Sequence, residues 1–251
     1  MEKVTELEII ETSSVKVEKP VVIVGLPGVG LVGVIASTLL AGSQEMKNIG
    51  YIKSDLLPPM IILHKGRIFD PVRIYSKDKL LLITSEMPLP TEIVRPLARS
   101  IVKWAKEKDP LIILMLGGIN VPNRTDIEKP ECYSVETNEQ ARRILEKAKI
   151  EKLSEGIMVG PYPMILREAL KEKLPAAAIL AQAYGRYPDP GAAASVLETL
   201  SKLLDIKVNV NELLEKAEEI RVKMRDLMRR TDQTMRKMGK EQELELPAMY
   251  A

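Results

Sequence analysis

Residues 21–42 read VVIVGLPGVGLVGVIASTLLAG, and the order of residue types in this stretch decides the fold. A β-branched run around Val21–Val24, apolar at consecutive positions, is the pattern of a strand buried on both faces. Gly25-Leu26-Pro27 then turns the chain, and Gly28, Gly30 and Gly33 spell G-x-G-x-x-G at the opening of a helix. The stretch carries no charge and is long enough to cross a bilayer. Its proline and five glycines, gathered after the β-branched run, fit strand, tight turn and helix better than a membrane span.

Working outward, apolar β-rich runs alternate with helical patterns, which argues for an α/β sheet with helices on both faces. The expected central strand is Pro20 to Leu26, and the helix after it Val29 to Leu40. Ile49 to Leu57, Met60 to His64, Arg67 to Tyr75 and Lys79 to Glu86 read as a meander, turning at Lys65-Gly66 and Lys77-Asp78. A helix follows from about Thr91 to Lys108. Leu111 to Leu116 is a second buried strand, expected to stop at Gly117-Gly118. Asn138 caps a helix to Lys149, Ile157 to Val159 and Ala177 to Leu180 read as short strands, and Met164 to Lys173 as the helix between them. Asp189-Pro190 opens a helix to Leu204, with Asp as N-cap and Pro in the first helical position.

Composition removes several classes of function. Lys+Arg 37 against Asp+Glu 35 in 251 residues leaves no large cationic surplus for a phosphate backbone, so nucleic acid is not the expected partner. The single cysteine, Cys132, cannot form an internal disulfide, which suits a reducing cytoplasm. MEKVTELEII lacks the apolar core of a signal peptide. One cysteine and one histidine cannot build a zinc site, and no metal is expected. His64 lies in an apolar run, where a structural role is the ordinary one; no serine sits in a G-x-S-x-G elbow, and no catalytic residue stands out. Five Gln and six Asn beside abundant Glu, Lys and Arg lean toward a thermophile. A dinucleotide site at the glycine turn would need an acidic residue about twenty positions on. Asp55 is the candidate, set in the apolar stretch Ile52 to Leu57. The competing reading makes Gly25, Gly28, Gly30 and Gly33 a structural turn that lets helix and sheet approach closely.

The C-terminal fifth differs in kind. Asn211 opens a helix expected to reach Met238, in which Leu213, Ala217, Ile220, Met224 and Leu227 recur at spacings of four and three. Such a seam either lies against its own chain or joins copies of the chain in a bundle, and the charged outer face admits both. The expected layout is an α/β domain over 1–206, a helical segment over 207–239 and a flexible tail over 240–251. Past Gly239 and the largely polar run Lys240 to Glu245, the sequence closes on Leu246-Pro247-Ala248-Met249-Tyr250-Ala251. An apolar side chain, a phenol and an α-carboxylate in succession can plug a receptor pocket: two pack, and the carboxylate meets an ammonium or a nest of backbone N–H groups.

This ending resembles the hydrophobic–tyrosine–any (HbYX) terminus by which proteasome activators and assembly chaperones dock between α-ring subunits of the proteasome core particle. The body supports the same family. Gly25-Leu26-Pro27-Gly28-Val29-Gly30-Leu31-Val32-Gly33, then Gly117-Gly118 with Pro122, then Pro188-Asp189-Pro190-Gly191-Ala192-Ala193-Ala194 resemble, in order, signatures of the archaeal relatives of the second proteasome assembly chaperone. The resemblance implies a mixed α/β fold similar to nucleoside phosphorylases and hydrolases, without enzymatic residues or cofactor. It implies a proteasome-docking role for Met249, Tyr250 and Ala251, and oligomers of this chain or pairing with a paralogue. The expected function is an ATP-independent activator that opens the proteasome gate. The alternatives are an assembly chaperone acting with a paralogue, a nucleotide- or nucleoside-binding enzyme using the glycine turn, and a scaffold acting through its heptad helix.

Overall fold

The computed structural model of the chain describes residues 7–64 and 66–239. Its core is a mixed sheet whose central strands are almost wholly apolar: β2 (Val21–Gly25), β7 (Leu80–Ser85), β8 (Ile112–Asn120) and β11 (Ala176–Ala183). They run parallel in the order β7-β2-β8-β11. Side chains alternate between faces along each strand. Val21, Ile23, Leu114 and Ile179 join one buried cluster, while Val22, Val24, Met115 and Ala178 join the other. Helices α1 (Val32–Ser43), α3 (Glu139–Leu145) and α5 (Pro190–Leu204) cover the first face; α2 (Thr91–Glu107) and α4 (Pro161–Lys171) cover the second.

Antiparallel strands extend both edges. On one side stand β6 (Val72–Lys77), β3 (Lys47–Lys53) and β1 (Glu8–Glu11); on the other, β9 (Cys132–Glu136) and β10 (Glu151–Lys152), the last parallel to its neighbour. The nine-stranded order is β1-β3-β6-β7-β2-β8-β11-β9-β10. Because the chain goes from β2 to one side and later crosses to the other, the strand order reverses beside β2, and the crevice there is where open α/β sheets commonly bind ligands.

The architecture expected from the sequence is present, and the differences are local. The meander is interrupted: β4 (Ile62–His64) and β5 (Arg67–Phe69) pair only with each other, and Asp70-Pro71 separates them from β6. His64 is exposed on this hairpin rather than held in the core. Lys65 of the expected turn lies outside the described residues. Gly117-Gly118 does not stop β8, which continues to Asn120 because β11 pairs with it throughout. Residues 157–159 form loop, and β9 and β10 take that edge. Strand β3 ends at Lys53, not Leu57, and α4 starts three residues before Met164, with Pro161 in its first turn. The C-terminal helix is two helices, α6 (Asn211–Glu215) and α7 (Ala217–Lys237), broken at Lys216.

Strand β1, which the sequence reading did not find, depends on Gly50. A Cβ there would stand 2.2 Å from the Ile10 carbonyl oxygen, where the β3 ladder also shifts register. Gly50→Ala should therefore loosen β1 and cost roughly 1–3 kcal/mol of stability in urea unfolding. Hydrogen exchange at Ile9 and Ile10 should speed up, while β2 and β8 stay protected.

Candidate functional site

The sharpest local geometry in the molecule lies at the C-terminal ends of β2 and β8. Gly28 is extended, Gly30 turns left-handed at φ 60°, and Leu31 follows at φ 51° before α1 begins. A side chain other than glycine, asparagine or aspartate rarely holds that conformation. Leu31 holds it because it is fully buried and its N–H donates to the Gly28 carbonyl at 3.0 Å. Gly33 lets α1 touch the sheet: a Cβ there would come within 2.4 Å of the Leu116 carbonyl and 2.6 Å of the Tyr162 hydroxyl. Gly25, the last residue of β2, does the same from the strand side, where a Cβ would stand 2.4 Å from the Gly33 carbonyl oxygen.

Tyr162, near the start of α4, reaches into this turn. Its hydroxyl accepts from the Leu26 N–H at 2.9 Å and donates to the Leu116 carbonyl at 2.5 Å. Burial pushes the phenol above its ordinary pKa, so it stays a neutral donor. A second brace is the buried pair Arg124–Asp189. Arg124 Nε and Nη2 donate to the two carboxylate oxygens at 2.7 and 3.0 Å, while Nη1 donates to the Ile127 carbonyl. The same carboxylate accepts from the N–H groups of Tyr184 and Ala192, and the Asp189 N–H donates to Gly30. Asp189 is thus the N-cap of α5, as its sequence context implies, and also the anchor of the glycine turn. Sequence reasoning missed Arg124 and Tyr162, because neither lies in a recognisable motif.

These braces occupy polar groups at the turn. Asp55 is exposed beyond β3, and β3 is separated from β2 by β6 and β7, so it cannot meet a ribose bound at the turn. The Tyr162 phenol takes the N–H of Leu26 at the end of β2. Arg124, the buried cation nearest the turn, is committed to Asp189. Gly25 and Gly33 bring helix and sheet into contact and Gly30 takes the left-handed turn, whereas a Cβ on Gly28 would meet nothing within 4 Å. Burial raises the Cys132 thiol to about 11, with a hydrogen bond to Thr199 opposing, so little nucleophilic thiolate exists near neutral pH. Among the described residues no cluster of His, Cys, Asp and Glu could hold a metal ion, and no helix is long and apolar enough to cross a membrane.

Beside the turn opens a cavity of about 430 Å³. Its walls are the turn itself, the end of β8, the loop 153–160 and the last turns of α7. The seam of the C-terminal helices lies along the same side of the molecule. Leu213 is buried, and Ala217, Ile220, Met224 and Leu227 are half-buried, the last three against the cluster under α1 and α5. The tripeptide Met249-Tyr250-Ala251 and the run before it lie outside the described residues.

A mixed nine-stranded α/β sheet with helices on both faces and a glycine turn between its central strand and the helix after it is the class these features define. The family model described as PAC2 matches residues 22–228, and the chain belongs to the PAC2 family. PbaA of Pyrococcus furiosus, described as an archaeal homolog of proteasome-assembly chaperone, superposes with a TM-score of 0.84 at 31% identity, over 90% of this chain and 98% of that one. PbaB of the same organism, an archaeal proteasome activator, shares the fold at a TM-score of 0.73 and 22% identity, over 88% and 98% of the two chains. In sequence, MJ0106 of Methanocaldococcus jannaschii is 29% identical over 207 residues, 82% of this chain and 84% of that protein.

Three outcomes are expected. Asp189→Ala leaves a buried guanidinium unpaired and uncaps α5, and should lower unfolding free energy by about 3–5 kcal/mol. Lys in place of Arg124 should not restore the wild-type value, since it cannot bridge both oxygens. Calorimetric titration with NAD, NADP and ATP should show no binding tighter than millimolar; a micromolar constant for any of them would contradict the assignment of the turn.

Proposed function

We propose that this protein acts on the proteasome core particle as an ATP-independent activator, docking between α-ring subunits through Met249, Tyr250 and Ala251. One observation carries the reading. A PAC2 chain similar to PbaA along nearly its whole length ends its last helix at Gly239, in a left-handed cap (φ 77°), and continues with twelve residues closing on an apolar–tyrosine–alanine tripeptide. Fully extended, those residues reach on the order of 40 Å. Met249 and the Tyr250 ring supply packing, the phenol a hydrogen bond, and the Ala251 carboxylate a charge for a lysine.

One tripeptide buries little surface and binds weakly, so the reading includes self-association that presents several tails at once. Ile220, Met224 and Leu227 keep part of their surface open and are the surface assigned to that contact. Tails that bind the open gate better than the closed one shift the core particle toward opening. No catalytic step by this chain is part of the mechanism. The higher identity to PbaA than to PbaB favours a second reading, an assembly chaperone that works with a paralogue.

Deleting Met249–Ala251 should abolish co-purification with core particles and leave the melting temperature unchanged. Tyr250→Ala should do nearly the same, and appending residues after Ala251 should also break docking by displacing the carboxylate. Peptide hydrolysis by mature core particles separates the two readings: an activator raises turnover, and an assembly chaperone does not. Undiminished binding by the truncated chain would refute both. Glu at Ile220 and Met224 together should lower the mass seen in light scattering, with circular dichroism confirming that the fold persists; an unchanged mass would leave the seam to packing within one chain.

A further inference from the structure

Leu63 and Ile68 are the most exposed large aliphatic side chains among the described residues, at 69% and 68%. They lie opposite each other in the hairpin of β4 and β5, whose ladder also pairs Ile62 with Phe69 and His64 with Arg67. Cross-strand partners share a face, and neighbours along a strand alternate. Ile62 and Phe69 look one way and are half-buried, with the Arg73 guanidinium 5.2 Å from the Phe69 ring. Leu63, Ile68 and Ile61 look the other way, into solvent. Among the described residues neither strand has another sheet neighbour. A two-stranded hairpin standing alone is marginal in water, and a contiguous aliphatic face left open on it marks a surface that a partner covers.

Topology says which way that surface faces. The hairpin leaves the sheet after Lys53 and rejoins it at Val72, which pairs with Ser85 at the end of β7. β7 runs parallel to β2, so the hairpin stands at the C-terminal edge of the sheet, the edge that carries the glycine turn and the cavity. Its root on β6 is two strands from β2, on the order of 10 Å along the sheet. The last turns of α7 border the same cavity through Thr234, Met235 and Met238, and Gly239 caps the helix there. The same end exposes Ile157 on the cavity wall and Tyr187 in the turn after β11. From Gly239 the chain continues for twelve residues, a tether on the order of 40 Å at most. A receptor that holds the far end of this tether keeps the body within that distance, and the end of the body where the tether is rooted is the one nearest to it.

We propose that the outward face of the hairpin, Ile61, Leu63 and Ile68, is a second contact with the proteasome α-ring, seated on its outer surface beside the pocket that takes the tail. The proposal rests on the docking role given above to Met249, Tyr250 and Ala251. The matching chemistry on the ring is an apolar patch with carboxylates at its margin, since Arg67 is exposed beside the hairpin tip. Three aliphatic side chains bury too little for a stable complex alone. Joined to the tail in one chain, they raise its effective concentration at the pocket. They also give the body a fixed orientation over the ring, which a tripeptide at the end of a tether does not.

The test measures binding of the full chain to immobilised core particles by surface plasmon resonance. Three forms are compared: the unaltered chain, Leu63→Thr with Ile68→Thr, and the chain lacking Met249–Ala251. Threonine suits a strand and both positions are exposed, so the double variant should keep its melting temperature and its light-scattering mass. It should bind about 10-fold more weakly, the scale of loss when two packed interface side chains are truncated, chiefly through faster dissociation. A benzophenone side chain in place of Leu63 should crosslink to an α subunit, and removal of Met249–Ala251 should abolish that crosslink. Unchanged affinity of the double variant, with the tail deletion still abolishing binding, would overturn the hairpin contact and leave the docking role of the tail standing. Undiminished binding by the tail deletion would instead refute the docking role, and the hairpin as its adjunct. A smaller light-scattering mass for the double variant, or crosslinks confined to a second copy of this chain, would assign the face to self-association and overturn the proposal.

Discussion

One carboxylate organises the C-terminal edge of the sheet. Asp189 is fully buried; its carboxylate accepts four hydrogen bonds, two from Arg124 and one each from Tyr184 and Ala192, and its own N–H donates to the Gly30 carbonyl. These partners come from four separate places in the chain: the turn after β8, the end of β11, the start of α5 and the glycine turn after β2. A charge in this position is stable only because the bidentate guanidinium and the backbone amides together replace its water. Two small residues make the arrangement possible. A Cβ on Gly30 would press on Asp189 and Ala183 at 3.2 Å, and one on Gly191 would stand 3.0 Å from Arg124 Nη2.

Tyr162 completes the same edge from the opposite face. Its hydroxyl stitches the end of β2 to β8, while its ring fills the space that Gly117 leaves open, where a Cβ would stand 2.7 Å away. A glycine turn of this sequence has two uses in α/β folds, close packing or close approach of a phosphate, and both need the missing side chains. Here a phenol from the chain itself bonds the backbone at the turn, and the strand that follows in sequence is carried to the far edge of the sheet. Within the letters that spell a dinucleotide fingerprint, Gly33, together with Gly25 ahead of them, brings helix and sheet into contact.

That distinction marks how far the sequence could be read. Long apolar runs such as Val21–Val24 and Ile112–Leu116 declare central strands because nothing else buries them on both sides, and Asp189-Pro190 declares a helix start from local chemistry alone. The edges were not legible. β9 alternates polar and apolar residues only weakly, β10 has two residues, and β1 exists through pairing with β3. Gly117-Gly118 reads as a stop when taken locally, yet eight register pairs with β11 carry β8 through it. Arg124 and Tyr162 act through partners 65 and 136 residues away, a separation that no local pattern encodes. The heptad seam was visible as a seam; the structure sets half of its surface against the chain's own core and breaks the helix at Lys216.

The C-terminal helix carries the remaining functional argument. Tyr162 bonds the backbone at the glycine turn and Arg124 is paired with Asp189, so these polar groups at the C-terminal edge of the sheet serve the fold. α7 is different: its outer face is charged, its seam is half-covered, and its last turns border a cavity. Helical segments with fewer buried contacts open at lower free energy than the core. On the proposed reading, the least constrained helix of the molecule is also the one that carries the docking residues, so their presentation can change without disturbing the sheet.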